Sequence, residues 1–111
     1  MVVEDDVFTR LAMAEFLRGR GYIVREVCMA SEAIELLSAG PLIDLIITDV
    51  RMPGKMNGFA LAEWVKRYAP KVKVILTSGV ATESSRGDAV ELMKPFTTDL
   101  ALNVIRSVLS A

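Results

Sequence analysis

The chain has 111 residues and a mass of 12.1 kDa; 52% of its residues are hydrophobic, 24% are charged, and the formal net charge is −1. That length supports one core and a single domain over residues 1–111, without room for a catalytic domain beside a separate effector. The near-neutral balance supplies no basic field for nucleic acid, and the absence of histidine excludes Ser-His-Asp chemistry, His-ligated zinc and an internal phosphohistidine.

No apolar run approaches the roughly 20 residues of a membrane span, and no basic-then-apolar leader precedes the fold, so a cytosolic module is expected. Cys28 stands alone, which rules out an internal disulfide and suggests a small buried filler.

In chain order, Val2-Val3 forms a very short first strand that runs into Glu4-Asp5-Asp6, where Asp6 is placed to cap a helix. Thr9, Ala12, Met13, Phe16 and Leu17 recur at helical spacing as its inward stripe, and Gly19 and Gly21 end it. Tyr22 to Glu26 reads as a second strand. Ser31 to Ala39 reads as a second helix, stopped by Gly40-Pro41.

Leu42 to Thr48 is a near-continuous apolar run, with residues 43 to 48 read as a strand buried on both faces, and Asp49 closes it. Asn57-Gly58 opens a third helix through Leu61, Ala62, Val65 and Tyr68, ended by Pro70. Val72 to Leu76 is a strand closed by Thr77, and Ala89 to Met93 is a strand closed by Lys94. Ser78 to Asp88 lacks apolar periodicity, which predicts a loop with at most a short turn. Thr97 caps a last helix, on which Ala101, Ile105 and Val108 make a core face while Leu100 and Val104 form a second stripe suited to edge packing or a homodimer contact.

Strands alternating with helices predict a doubly wound α/β domain. In an open parallel sheet of this kind ligands bind outside the carboxyl ends of the strands. Glu4, Asp5, Asp49, Thr77 and Lys94 all fall at such ends. Crowded carboxylates repel and raise one another's pKa unless a cation is present, and Mg2+, an octahedral oxygen-seeking ion, needs only one or two acids from the protein. Beside such a cation an Asp can act as nucleophile toward a phosphoryl group, with Lys94 pairing one phosphoryl oxygen and the Thr77 hydroxyl donating to another.

Val2-Val3-Glu4-Asp5-Asp6, Thr48-Asp49-Val50-Arg51-Met52-Pro53-Gly54, Thr77-Ser78-Gly79 and Met93-Lys94-Pro95-Phe96 together resemble response-regulator receiver domains over essentially the whole chain. The resemblance implies a flavodoxin-like five-stranded parallel sheet of order 2-1-3-4-5 with helices on both faces. It also implies phosphoryl transfer from a histidine kinase or histidine phosphotransfer protein onto Asp49. Asp5 resembles the direct Mg2+ ligand, Glu4 an acid that reaches the metal through water, Arg51 the residue whose backbone carbonyl ligates it, and Thr77 and Lys94 the switch hydroxyl and phosphate-pairing lysine. A cis Lys94–Pro95 peptide is implied as well. Leu11, outside the inward stripe of the first helix, and Phe8, beside the acids, would together receive a helix of the phosphodonor.

Two features depart from the family. Glu91 stands where many receivers have an aromatic residue three positions before the lysine, and the interval from Thr77 to Lys94 is short, which predicts a reduced or absent fourth helix. A phosphorylation-independent interaction module is therefore the second reading. A haloacid-dehalogenase-like phosphatase would need a second Asp where Arg51 stands, and a flavin binder would need a hydroxyl- and glycine-rich loop in place of Glu4-Asp5-Asp6. A receiver would turn over only its own phosphoryl group, so no enzyme acting on an external substrate is expected.

Overall fold

The computed structural model describes residues 1–79 and 89–110. In chain order the elements are β1 (Val2–Val3), α1 (Val7–Gly19), β2 (Glu26–Val27), α2 (Ala30–Ser38), β3 (Leu45–Asp49), α3 (Gly58–Tyr68), β4 (Lys73–Ser78), β5 (Val90–Met93) and α4 (Thr98–Ser110). The strands form one parallel sheet in the order β2-β1-β3-β4-β5, as the alternation and the motifs led one to expect. The expected loss of a helix between β4 and β5 falls on residues 80–88, outside the described residues.

Successive strand residues point to opposite faces, and each face is covered. Val2, Ile47, Ile75 and Leu92 pack with Leu17 of α1 and with Ala101 and Ile105 of α4. Val3 and Ile46 pack with Ala30 and Ala33 of α2 and with Leu61 and Val65 of α3. Helix starts follow their caps: Asp6 accepts from Thr9 N–H, Asn57 from Ala60 N–H at 2.9 Å, and Thr97 from Leu100 N–H at 3.0 Å.

Several boundaries differ from the sequence reading, and one cause explains two of them. The second strand is Glu26–Val27 rather than Tyr22 to Glu26, and the third begins at Leu45 rather than residue 43, with Leu42 91% exposed. β1, which lies between them, has two residues, so on that side their amino-terminal approaches have no strand to pair with beyond Met1. On α1 the inward residues are Ala14 and Leu17, with Met13 and Phe16 beside them, whereas Thr9 and Ala12 are exposed. The side chain of Arg10 turns inward instead. On α4 Leu102 is buried and Val104 joins the core, which leaves Leu100 and Leu109 as its exposed large apolar side chains. Cys28 is half-buried, not fully enclosed.

The amino-terminal ammonium of Met1 donates to the Leu45 carbonyl at 2.8 Å. Burial lowers its pKa from 8.0 to about 6, against the opposing attraction of Asp44. Between those values the unfolded chain holds a proton that the folded chain releases, so stability should rise as pH goes from 6 to 8. The expected gain is about 2 kcal/mol, and no histidine titrates in the same window. Urea unfolding at the two pH values checks this; Nα-acetylated protein should show no such rise.

Candidate functional site

Asp49 ends the central strand and lies in register opposite Thr77 on β4. Glu4 follows β1 and Lys94 follows β5, where Lys94 N–H bonds to the Ser78 carbonyl at 2.7 Å. Parallel pairing thus brings residues from four distant stretches to one sheet edge. The Lys94 ammonium lies 2.9 Å from Asp49 Oδ2 and 3.7 Å from Glu4 Oε1, bridging the two acids. The Lys94–Pro95 peptide is cis.

Burial pushes the Glu4 carboxyl up from its ordinary pKa and the adjacent Asp5 and Asp49 acids add to this, while the Asp6 N–H and Lys94 pull it down. For Lys94, burial alone would lower the pKa, but its hydrogen bond and charge attraction to Asp49, joined by Glu4, outweigh that and hold the ammonium above its ordinary value. The lysine therefore stays charged wherever the acids are ionised. Asp5, next to Glu4 in the chain, is exposed.

Thr77 is buried with its hydroxyl 3.5 Å from the Thr48 carbonyl, turned to backbone. The Arg51 N–H faces Asp49 Oδ1 at 3.4 Å. Asp49, Glu4, Thr77 and Lys94 share a cavity of about 30 Å3 with Phe96, space on the scale of a water or single ion. Among the described residues no three acids or cysteines are gathered closely enough to hold a metal unaided. The donors suit a hard cation nonetheless: Glu4 and Asp49 are already drawn to one positive group, and exposed Asp5 adjoins Glu4, a donor set that fits an ion retaining much of its water.

Two contributors escaped the sequence reading. Arg10 donates to the Glu4 carbonyl at 2.9 Å and to Cys28 Sγ at 3.4 Å, and its Nε lies 3.5 Å from Glu26 Oε1. It therefore ties the acidic turn to β2; its place one turn after Asp6 was the available signal. Gly58, read as a helix opener, donates to the Val50 carbonyl at 2.8 Å, and a Cβ there would lie 2.3 Å from the Asp49 carbonyl oxygen. The start of α3 is thus pressed against the backbone of Asp49, a contact that no local pattern announces.

With this geometry in view, residues 1–104 match the family model of the response regulator receiver domain. The chain belongs to that family. This receiver is 33% identical over 104 residues to the C4-dicarboxylate transport transcriptional regulatory protein DctD of Rhizobium meliloti, covering 88% of this chain and 22% of that protein. It is 30% identical over 115 residues to the DNA-binding transcriptional regulator NtrC of Escherichia coli, covering 98% and 24%. The receiver thus spans about a quarter of the length of these curated relatives. Among solved structures it superposes with a TM-score of 0.89 on a response regulator receiver protein from Sinorhizobium medicae, at 26% identity and covering 99% and 92% of the two chains. The NtrX receiver domain from Brucella abortus gives 0.88 at 26%, covering 99% and 97%. Among the described residues no helix is long and apolar enough to cross a membrane.

Proposed function

We propose that this receiver accepts a phosphoryl group on Asp49 from a phosphohistidine of a histidine kinase or histidine phosphotransfer protein and thereby alters the binding of a downstream partner. The observation that carries the reading is the Lys94 ammonium bridging Asp49 and Glu4 at the carboxyl edge of the sheet. An Asp49 carboxylate oxygen attacks phosphorus, the P–N bond of the donor breaks, and the leaving imidazole keeps the electron pair and takes up a proton. Glu4, Asp5, Asp49 and the Arg51 backbone carbonyl would hold Mg2+, which when bound neutralises charge on the phosphoryl oxygens. Lys94 stabilises the same charge from the other side, and the Thr77 hydroxyl, buried beside the acid, supplies a hydrogen bond to the product. The chemistry is confined to the protein's own phosphoryl group. Phe8, 82% exposed, and Leu11 present apolar surface on α1 for the donor. On α4, Leu100 is the part of the second stripe open to a homodimer contact.

Incubation with acetyl phosphate and Mg2+ should add one phosphoryl group that maps to Asp49; a phosphopeptide mapped elsewhere would overturn the assignment. Lys94→Ala should slow labelling by about a hundredfold and weaken the accompanying spectral changes while leaving Mg2+ affinity largely intact. Loss of Mg2+ binding in that variant would show the roles to be wrongly divided. A second reading, a phosphorylation-independent interaction module, is favoured by one observation: Glu91, exposed on β5, replaces an aromatic switch residue. A phosphoryl mimic that shifted no resonance beyond the pocket would support it.

A further inference from the structure

Both backbone polar groups of Glu4 are tied down, one on each side of the residue. Its N–H bonds to the Val27 carbonyl of β2 at 3.1 Å, and its carbonyl accepts from the Arg10 guanidinium of α1 at 2.9 Å. That carbonyl belongs to the planar peptide joining Glu4 to Asp5, so the second bond sets the plane from which the Asp5 side chain departs. The Glu4 carboxylate is oriented as well, with Oε2 accepting from Asp6 N–H at 3.2 Å and Oε1 3.7 Å from the Lys94 ammonium.

Arg10 is itself held. Its Nε lies 3.5 Å from Glu26 Oε1, while the other oxygen of that carboxylate is 2.9 Å from the guanidinium of Arg18, two turns further along α1. The Arg10 side chain is 15% exposed, so this pairing is largely out of water. Burial raises the pKa of the Glu4 carboxyl, and the cation that opposes this is Lys94; Arg10 is directed at the carbonyl instead.

We propose, resting on the Mg2+-dependent phosphoacceptor reading above, that Arg10 is a positioning residue for the cation site: it fixes the peptide between the two acids, with Glu26 of β2 holding it there. Arg10 would touch neither metal nor phosphate. The sign of its effect separates orientation from charge. A guanidinium near acids repels a divalent cation, so on charge alone its removal tightens binding. Loss of a bond that orients a metal-binding group does the opposite, lowering affinity by about 10–100-fold. Orientation outweighs charge at this position, because Glu26 already neutralises the guanidinium whereas nothing else among the described contacts holds the Glu4 carbonyl.

The test is a Mg2+ titration of the intact chain without phosphate, followed by the amide resonances of Asp5 and Asp6, with amide exchange of the metal-free protein as a second readout. Arg10→Met keeps an apolar stem and removes every donor; it should raise the Kd for Mg2+ by about tenfold. Metal-free exchange at the Glu4 and Asp6 amides should quicken by about threefold or more. Arg10→Lys keeps the charge but lacks the fork that serves two acceptors, and should raise Kd by about threefold; it carries the test if the methionine variant does not fold. Arg18→Met removes a tie between α1 and β2 that does not reach the acids and leaves Glu26 to pair with Arg10, so Kd should stay within about twofold of the parent whatever happens to Tm. An unchanged or lower Kd in the folded Arg10 variants would overturn the proposal and leave the phosphoacceptor reading standing. Equal weakening in Arg18→Met would do the same, marking the effect as general loosening. A parent protein that bound no Mg2+ would overturn that reading and the role of Arg10 together.

Discussion

Asp49→Asn should abolish labelling by acetyl phosphate while leaving the fold in place. The amide keeps the size and shape of the carboxylate but lacks the anionic oxygen that forms the P–O bond, so the reaction loses its nucleophile outright. Stability should change little. The Lys94–Asp49 pair is partly solvated, with the lysine side chain 34% exposed, and pairs of that kind contribute about 1 kcal/mol or less. Glu4 also remains within 3.7 Å to receive the ammonium. Intact mass after acetyl phosphate treatment, with a melting curve as the folding control, decides the matter. A full phosphoryl adduct on a well-folded Asp49→Asn protein would mean that another acid is the acceptor.

Gly58→Ala should damage the same site from a position that makes no contact with phosphate. The added Cβ would sit 2.3 Å from the Asp49 carbonyl oxygen, 2.8 Å from Val50 Cα and 3.0 Å from the Asp49 carbonyl carbon. All three are backbone atoms at the end of β3 and the first residue after it, so no side chain can swing aside. Alanine improves helix propensity by about 1 kcal/mol, but separating α3 from the strand end is expected to cost about 2–4 kcal/mol net. That corresponds to a Tm lower by roughly 10–20 °C. Labelling of the folded fraction should also slow, because Asp49 shifts relative to Lys94. Gly19→Ala is the matched control: a Cβ there meets nothing within 4 Å and Gly19 has no positive φ, so its Tm should hold or rise slightly. A Gly58→Ala protein as stable as the parent would show that the β3–α3 contact yields easily.

How much of this was legible in the sequence depends on the range of the interaction. Asp6, Asn57 and Thr97 bond within three residues of themselves, and each was readable as a cap. Asp49, Thr77 and Lys94 were readable because each ends an apolar strand, and parallel topology alone gathers strand ends. Arg10 was passed over because its partners, Glu4, Cys28 and Glu26, come from one strand and two loops, and an arginine on an amphipathic helix ordinarily faces water. The strand limits at β2 and β3 were overestimated because apolar character reports what a segment could pair with. Pairing also requires a neighbour, and β1 offers Val2 and Val3. The inward face of α1 was misjudged for a related reason: Thr9 and Ala12 fit the period, but it is Arg10, with three partners from distant residues, that lies inward.

The shortness of β1 has a mechanical consequence. Five residue pairs join β3 to β4, whereas two join β1 to β2 and two join β1 to β3. The sheet is therefore stitched firmly on one side of β3 and loosely on the other, and local opening begins on the loosely stitched side. Asp49, Thr77 and Lys94 belong to the firm half, while Glu4 and Asp5 ride on the loose one. The proposed nucleophile and the groups that would recognise its phosphate thus share the firmly paired strands, while two of the acids that would hold the cation sit where the sheet opens more easily.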